Sequence, residues 1–189
     1  MSNQYSLEGI ILKRINFSEA DKIVTIFAKK YGRLKVIAKG VRKIKSRRSP
    51  HIELFNQARL HLHKGKTFDI VTEAESINTF EYIKKDLPKV NTAYFLVEVI
   101  DRLCPELVAH DDIYDKLTNT LKLMESDSDP NLLNIRNYFG NYILHSLGYL
   151  PPHQNLADKK LLDFIESLLE GKLKTPDILT KGIENNILK

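Results

Sequence analysis

The chain changes its hydrophobic period once. Over residues 5–76 apolar positions alternate or gather in short β-branched runs; beyond Phe80 they recur at i, i+3, i+4 and i+7. The first region reads as five strands. Residues 5–17 (YSLEGIILKRINF) and 22–28 (KIVTIFA) form the first two, and Tyr31-Gly32 is a turn signal. Residues 33–41 make a third, with Leu34, Val36 and Ala38 on one face and Arg33, Lys35 and Lys39 on the other. A fourth covers 58–63, where Ala58, Leu60 and Leu62 oppose Arg59, His61 and His63. Lys64-Gly65-Lys66 turns the chain into a fifth over 68–74. Five short strands in so short a span predict a small closed barrel, and the OB-fold is the natural candidate.

The second region reads as helices. Val90, Ala93, Tyr94, Val97 and Ile100 mark one that stops at Pro105, and residues 113–124 form another. Asp129-Pro130 reads as an N-cap followed by proline at the first helical position. The helix it opens carries Leu132, Ile135, Phe139, Tyr142 and Ile143 on one side and closes at Gly148. Leu161, Leu162, Ile165, Leu168 and Leu169 form a further amphipathic helix ended by Gly171, and Thr175-Pro176 opens a last one. The expectation is an α+β chain in two parts: a five-stranded OB-fold β-barrel over residues 1–79, then an all-α helical domain over 80–189.

Charge divides the chain at nearly the same place. The net charge of +5 hides 16 Lys/Arg against 4 Asp/Glu in residues 1–66, and 13 against 20 in the remainder. The stretch GRLKVIAKGVRKIKSRRS, residues 32–49, has no acidic residue. A barrel with a basic face and basic loops suits the phosphate backbone of nucleic acid. The candidate contacts are Arg33, Lys35, Lys39, Arg42, Lys43, Lys45, Arg47, Arg48, Arg59, Lys64 and Lys66, with Tyr31 and Phe55 as candidates for base stacking. The rival readings are an OB-type RNA-binding protein and an interaction adaptor whose basic face grips an acidic partner tail.

Catalysis and cofactors find little support. Gly65-Lys66-Thr67 resembles the end of a P-loop, but the position five residues before Gly65 is Leu60, inside a strand. The run from Asp127 lacks the glycine and the bidentate acid of a calcium loop. Glu19 and Asp21 read as a turn pairing with basic neighbours, and His61 and His63 as exposed histidines on a basic surface. The single cysteine, Cys104, forms no disulfide within the chain and no cysteine-based zinc site. No cofactor, metal or enzymatic activity is expected. The first residues, MSNQYSLEG, show no signal-peptide pattern, and no apolar run is long enough to span a membrane, so a reducing cytoplasm is the expected compartment.

Several pieces of the chain resemble one known family. They are Glu8-Gly9-Ile10-Ile11-Leu12-Lys13, Glu19-Ala20-Asp21, Tyr31-Gly32, and Ala38-Lys39-Gly40-Val41-Arg42 before a basic loop. Phe55, IVTEAE at residues 70–75, Cys104-Pro105-Glu106 and Gly148-Tyr149 with its following proline continue the match. Together they resemble the RecO-type DNA repair proteins of bacteria. That resemblance implies an OB-fold followed by a helical domain. It also implies an ATP-independent recombination mediator that binds single- and double-stranded DNA and anneals complementary strands. Its implied partners are RecR, the acidic C-terminal tail of single-strand-binding protein and, indirectly, RecA, with a place at the nucleoid. Many members carry a four-cysteine zinc module after the glycine–tyrosine–proline segment; here that place reads PPHQNLADKK, without a cysteine, and the chain ends earlier than the family pattern suggests.

Overall fold

The first strand is too long for one partner, and its bend builds the barrel. The computed structural model describes residues 3–175. In it β1 (Gln4–Phe17) pairs antiparallel with β4 (Gln57–His63) through its first half and with β2 (Asp21–Ala28) through its second. A register shift between Ile11 and Lys13 marks the change of partner. Gly9 sits where β1 is paired on both sides; a Cβ there would lie 2.4 Å from Ile26 Cγ2, so only glycine lets the strands approach this closely. β2 pairs antiparallel with β3 (Gly32–Ala38), and β3 pairs in parallel with β5 (Asp69–Asn78), which returns antiparallel to β4. The order β1-β2-β3-β5-β4 closes on itself, the five-stranded topology of an OB-fold.

The pleat decides which residues enter the barrel. Leu34, Val36 and Ala38 of β3 and Ala58, Leu60 and Leu62 of β4 lie in the buried cluster, as their alternation predicts. Leu7, Ile11, Val24, Ile26 and Val71 complete it from the other strands. Full burial of the Val, Leu and Ile side chains among them contributes about 1.5–3 kcal/mol each. Two loop residues, Val41 and Ile52, join the same core. β3 therefore ends earlier than its pattern suggests: the chain leaves the sheet after Ala38, and Val41 enters the core from a turn. β5 runs on to Asn78, past the expected end.

The β3–β5 ladder is short, with pairs only at Val36–Asp69 and Ile37–Ile70. The start of β3 is left with a free edge, and a later segment takes it. Leu107 N–H donates to Arg33 O at 2.8 Å, in a parallel bridge between Arg33 and Glu106. A Cβ on Gly32 would fall 1.9 Å from Val108 O, so this approach also demands glycine, as does its φ of +71°. The first compact unit accordingly comprises the chain up to Phe80 together with Cys104–Thr118. Cys104–Thr118 thus belongs with the barrel although it follows the expected boundary at 79/80 in sequence.

The second unit comprises Glu81–Leu103 and the residues from Asn119 onward. Its helices are α1 (Glu81–Lys85), α2 (Leu87–Leu103), the later turns of α3 (Asp111–Ser126), α4 (Leu132–Ser146) and α5 (Asp158–Leu168). α1 is an element the periodicity does not reveal, because five residues are too short for a period. Asp86 caps the next helix, accepting from Lys89 N–H at 2.9 Å. α4 starts two residues later than Asp129-Pro130 predicts: Asn131 is the cap, its Oδ1 accepting from Asn134 N–H at 3.0 Å. Arg136 is buried with its guanidinium 4.8 Å from the Phe95 ring, which joins α4 to α2. The last helix expected, at Thr175-Pro176, lies outside the described residues.

Candidate nucleic-acid interface

The basic residues of the barrel unit occupy three environments. The first is the outer face of the sheet, where carboxylates meet the cations. Arg33 donates through Nε to Cys104 O at 2.9 Å and through Nη1 to Glu106 Oε1 at 3.2 Å. Lys35 Nζ lies 2.6 Å from the same Glu106 oxygen, and its hydrogen bond, before the other influences, holds the Glu106 carboxyl below the usual range. Lys29 pairs with Asp115 at 2.8 Å. Phe27, 0% exposed on the outside of β2, packs against the Tyr114 ring. The outer face of β2 and β3, where OB-folds commonly hold oligonucleotides, is thus lined by residues 104–118. Arg59 sits between Glu8 and Glu75 in the ladder, 3.7 Å from a Glu75 oxygen. Of the expected phosphate contacts, Arg33 and Lys35 share the Glu106 carboxylate and Arg59 lies beside that of Glu75.

The second environment is the loop that leaves β3. The β1–β2 turn and this loop lie at one end of the sheet, because Lys22 pairs with Ala38. Asp21 Oδ1 accepts from Gly40 N–H at 2.8 Å, and Arg42 N–H donates to Ala20 O at 2.9 Å. Arg42 Nη1 reaches Ser18 O at 3.0 Å. Arg48 Nη2 donates to Lys39 O at 2.7 Å and its Nη1 to Val71 O at 2.5 Å, closing the loop's two ends. A 3₁₀ turn, Ser49–Ile52 with Pro50 at its start, follows, and buried Asn56 ties it down through Pro50 O at 2.9 Å. Asp21 is therefore the loop's anchor, and it holds the loop through a backbone N–H rather than through the basic side chains expected of its turn.

Lys39, Gly40, Lys43, Lys45, Ser46, Arg47 and Arg48 line an open depression of about 570 Å³ with Ala20 and Asp21. Among the described residues no carboxylate forms an ion pair with Lys39, Lys43, Lys45 or Arg47, and all four are exposed. Arg42 and Arg48 bond only to carbonyls in these contacts, which fix the guanidinium without cancelling its charge. Next to the loop, the Lys22 ammonium is pushed below its usual range by burial first and by the cations of Arg14 and Arg42 next. Arg14 pairs with Glu53. Lys22 is a basic residue the sequence reading missed; the register of β2 against the end of β3 is what brings it here.

The third environment is the turn between β4 and β5. β5 enters beside Val36 in parallel with β3, so Lys64 and Lys66 lie toward the start of β3 while the 39–48 loop leaves from its end. They do not line the depression. Tyr31 is at this side too, 39% exposed with its ring 5.6 Å from that of Tyr5. Phe55, the other residue expected to stack on a base, is buried at 3% exposure. His61 Nδ1 lies 2.8 Å from Ser6 Oγ and His51 Nδ1 3.0 Å from Ser76 Oγ; among the described residues no group of three or more His, Cys, Asp and Glu is placed to hold a metal.

Two family models match this chain. Residues 1–80 match Recombination protein O N terminal, and residues 84–175 match Recombination protein O C terminal. The chain belongs to the RecO family. It is 36% identical over 147 residues to the DNA repair protein RecO of Roseiflexus sp. (strain RS-1), an alignment covering 78% of this chain and 51% of that protein. It is 29% identical over 147 residues to that of Pelotomaculum thermopropionicum, covering 78% and 56%. With that of Dehalococcoides mccartyi (strain ATCC BAA-2266) it shares 30% over 162 residues, covering 85% and 63%. The chain spans about half the length of the first curated relatives it matches. Residues 151–160 carry no cysteine, and Cys104, the single cysteine of the sequence, is buried. Among the described residues no helix is long and apolar enough to cross a membrane.

Proposed function

We propose that this chain is a non-enzymatic DNA-binding mediator of recombination and repair, and that its binding element is the 39–48 loop. One observation carries the reading: Lys39, Lys43, Lys45 and Arg47 surround a depression with no ion-pair partner among the described residues, while on the neighbouring sheet face Arg33 and Lys35 share Glu106 and Arg59 pairs with Glu75. Such cations bind a polyanion by releasing its counterions. Two strands held at this surface would repel each other less, which favours annealing. The function extends, on this reading, to single- and double-stranded DNA at the nucleoid. RecR and the acidic tail of single-strand-binding protein would be partners in loading RecA.

Salt titration of oligonucleotide binding tests the reading. With about five phosphates neutralised, affinity falls several hundredfold between 50 and 200 mM salt. Binding that ignores salt would remove the mechanism. Competition by RNA of equal length, stronger than by DNA, would move the substrate to RNA. Capture of an acidic tail peptide with no oligonucleotide binding would make the protein an adaptor.

A further inference from the structure

The basic loop carries one apolar side chain that the fold does not use. Ile44 is 105% exposed, while Val41, three residues earlier, is 1% exposed and lies in the barrel core. The loop that presents Ile44 is built, not slack. Lys43 N–H donates to Gly40 O at 3.2 Å and Ser46 N–H to Lys43 O at 2.9 Å, so two successive turns place Ile44 at the apex. The bonds of Gly40 to Asp21 and of Arg48 to Lys39 hold the base. Arg42 and Lys43 precede Ile44, Lys45 and Arg47 follow it, and all four are exposed.

A projecting β-branched side chain between cations matches a ligand that offers charge and apolar surface a few ångströms apart. A nucleic acid does so, with base faces beside phosphates. Small apolar side chains, isoleucine among them, serve as wedges at base steps, and a β-branched side chain loses little freedom on insertion because its first torsion is already restricted. We infer that Ile44 is a wedge that enters a base step of the bound nucleic acid while the flanking cations hold the phosphates. This rests on the nucleic-acid reading above, and it assigns the apolar part of that binding to one side chain.

The test uses duplex and single-stranded oligonucleotides carrying 2-aminopurine, whose fluorescence rises when it is unstacked. The full chain is compared with Ile44→Ala and Ile44→Leu. Because Ile44 is fully exposed, neither change removes core packing. At saturation the native chain and Ile44→Leu should raise the fluorescence, and Ile44→Ala should not. Affinity of Ile44→Ala should fall by about five- to tenfold, with the salt slope unchanged because no counterion is involved. Equal fluorescence and affinity for Ile44→Ala and the native chain would overturn the wedge while leaving phosphate binding in place. Absence of any oligonucleotide binding by the native chain would overturn both readings together. Binding to anionic phospholipid vesicles that Ile44→Ala abolishes, with DNA binding untouched, would overturn the wedge in favour of a membrane contact.

Discussion

The outer face of β3 and the loop that follows it belong to one uninterrupted basic stretch, yet they do opposite things with their charge. On the strand, Arg33 and Lys35 both reach Glu106. In the loop, Lys39, Lys43, Lys45 and Arg47 form no ion pair with a carboxylate among the described residues. The difference comes from topology. The short β3–β5 ladder leaves an edge that residues 104–108 fill, bringing Glu106 with them. The loop lies at the other end of β3, held by backbone carbonyls and by Asp21, whose Oδ1 accepts from the Gly40 backbone N–H. A run of like charge is therefore two objects: a strand whose two cations share one carboxylate, and a loop whose cations form no ion pair among the described residues.

The largest effect should separate the two. Replacing Lys43, Lys45 and Arg47 with alanine should cut oligonucleotide affinity by about a hundredfold near 0.1 M salt and reduce the salt slope by about three. Arg33→Ala with Lys35→Ala should change it by about threefold or less. Equal losses from the two sets, measured by fluorescence anisotropy, would erase the distinction.

Next comes the seal on the β3 edge. Gly32→Ala meets both a φ of +71° and Val108 O at 1.9 Å. It should destabilise the protein by about 2–3 kcal/mol, read by chemical denaturation, and should speed amide exchange over residues 104–108. A fully native denaturation curve would contradict the tight approach.

The ion pair should show a smaller effect, with a definite pH sense. Lys35 first, then Arg33, lowers the folded-state pKa of Glu106 below its unfolded value, with burial acting in the opposite direction. The stability this gives is present above the unfolded pKa and fades as pH falls through the folded one. Glu106 is about half exposed, so Glu106→Gln should cost about 0.5–1 kcal/mol near neutrality. The difference between native and variant should vanish in the acid range; a difference constant from pH 7 to 3 would deny the charge a role.

The smallest effect concerns Cys104. Burial first pushes its thiol up to about 12 from 9.0. The folded state keeps a proton that the unfolded chain releases, so this contribution is intact below pH 9 and is lost as pH rises from there toward 12. Iodoacetamide should label native Cys104 slowly at pH 8 and Gly32→Ala faster. Fast labelling of the native chain would show the segment open.

Much of the fold was legible because the barrel strands obey the period-2 rule. Leu34, Val36, Ala38, Ala58, Leu60 and Leu62 point inward as their spacing requires. Val41 misled the reading of β3, since a buried residue in a turn continues the alternation without belonging to the strand. The site was half legible. Charge runs are visible in a sequence, but partners are not: Glu106 is 71 positions from Lys35, and Glu75 meets Arg59 only through strand register. Phe55 looked free for stacking because nothing local announces that a lone aromatic near a basic loop is buried. Asp21 reads from the sequence as a turn acid pairing with basic side chains, whereas its Oδ1 holds the Gly40 backbone N–H, a partner no side-chain pattern announces. Lys22 passed unnoticed because it and its neighbours Arg14 and Arg42 come from three different segments.

The most direct measurement is a lysine footprint by acetylation and mass spectrometry, with and without a bound oligonucleotide. Lys39, Lys43 and Lys45 should be protected strongly, with Lys35, Lys64 and Lys66 unchanged. Protection of Lys35, Lys64 or Lys66 while the loop lysines stay reactive would contradict the assignment of binding to the loop.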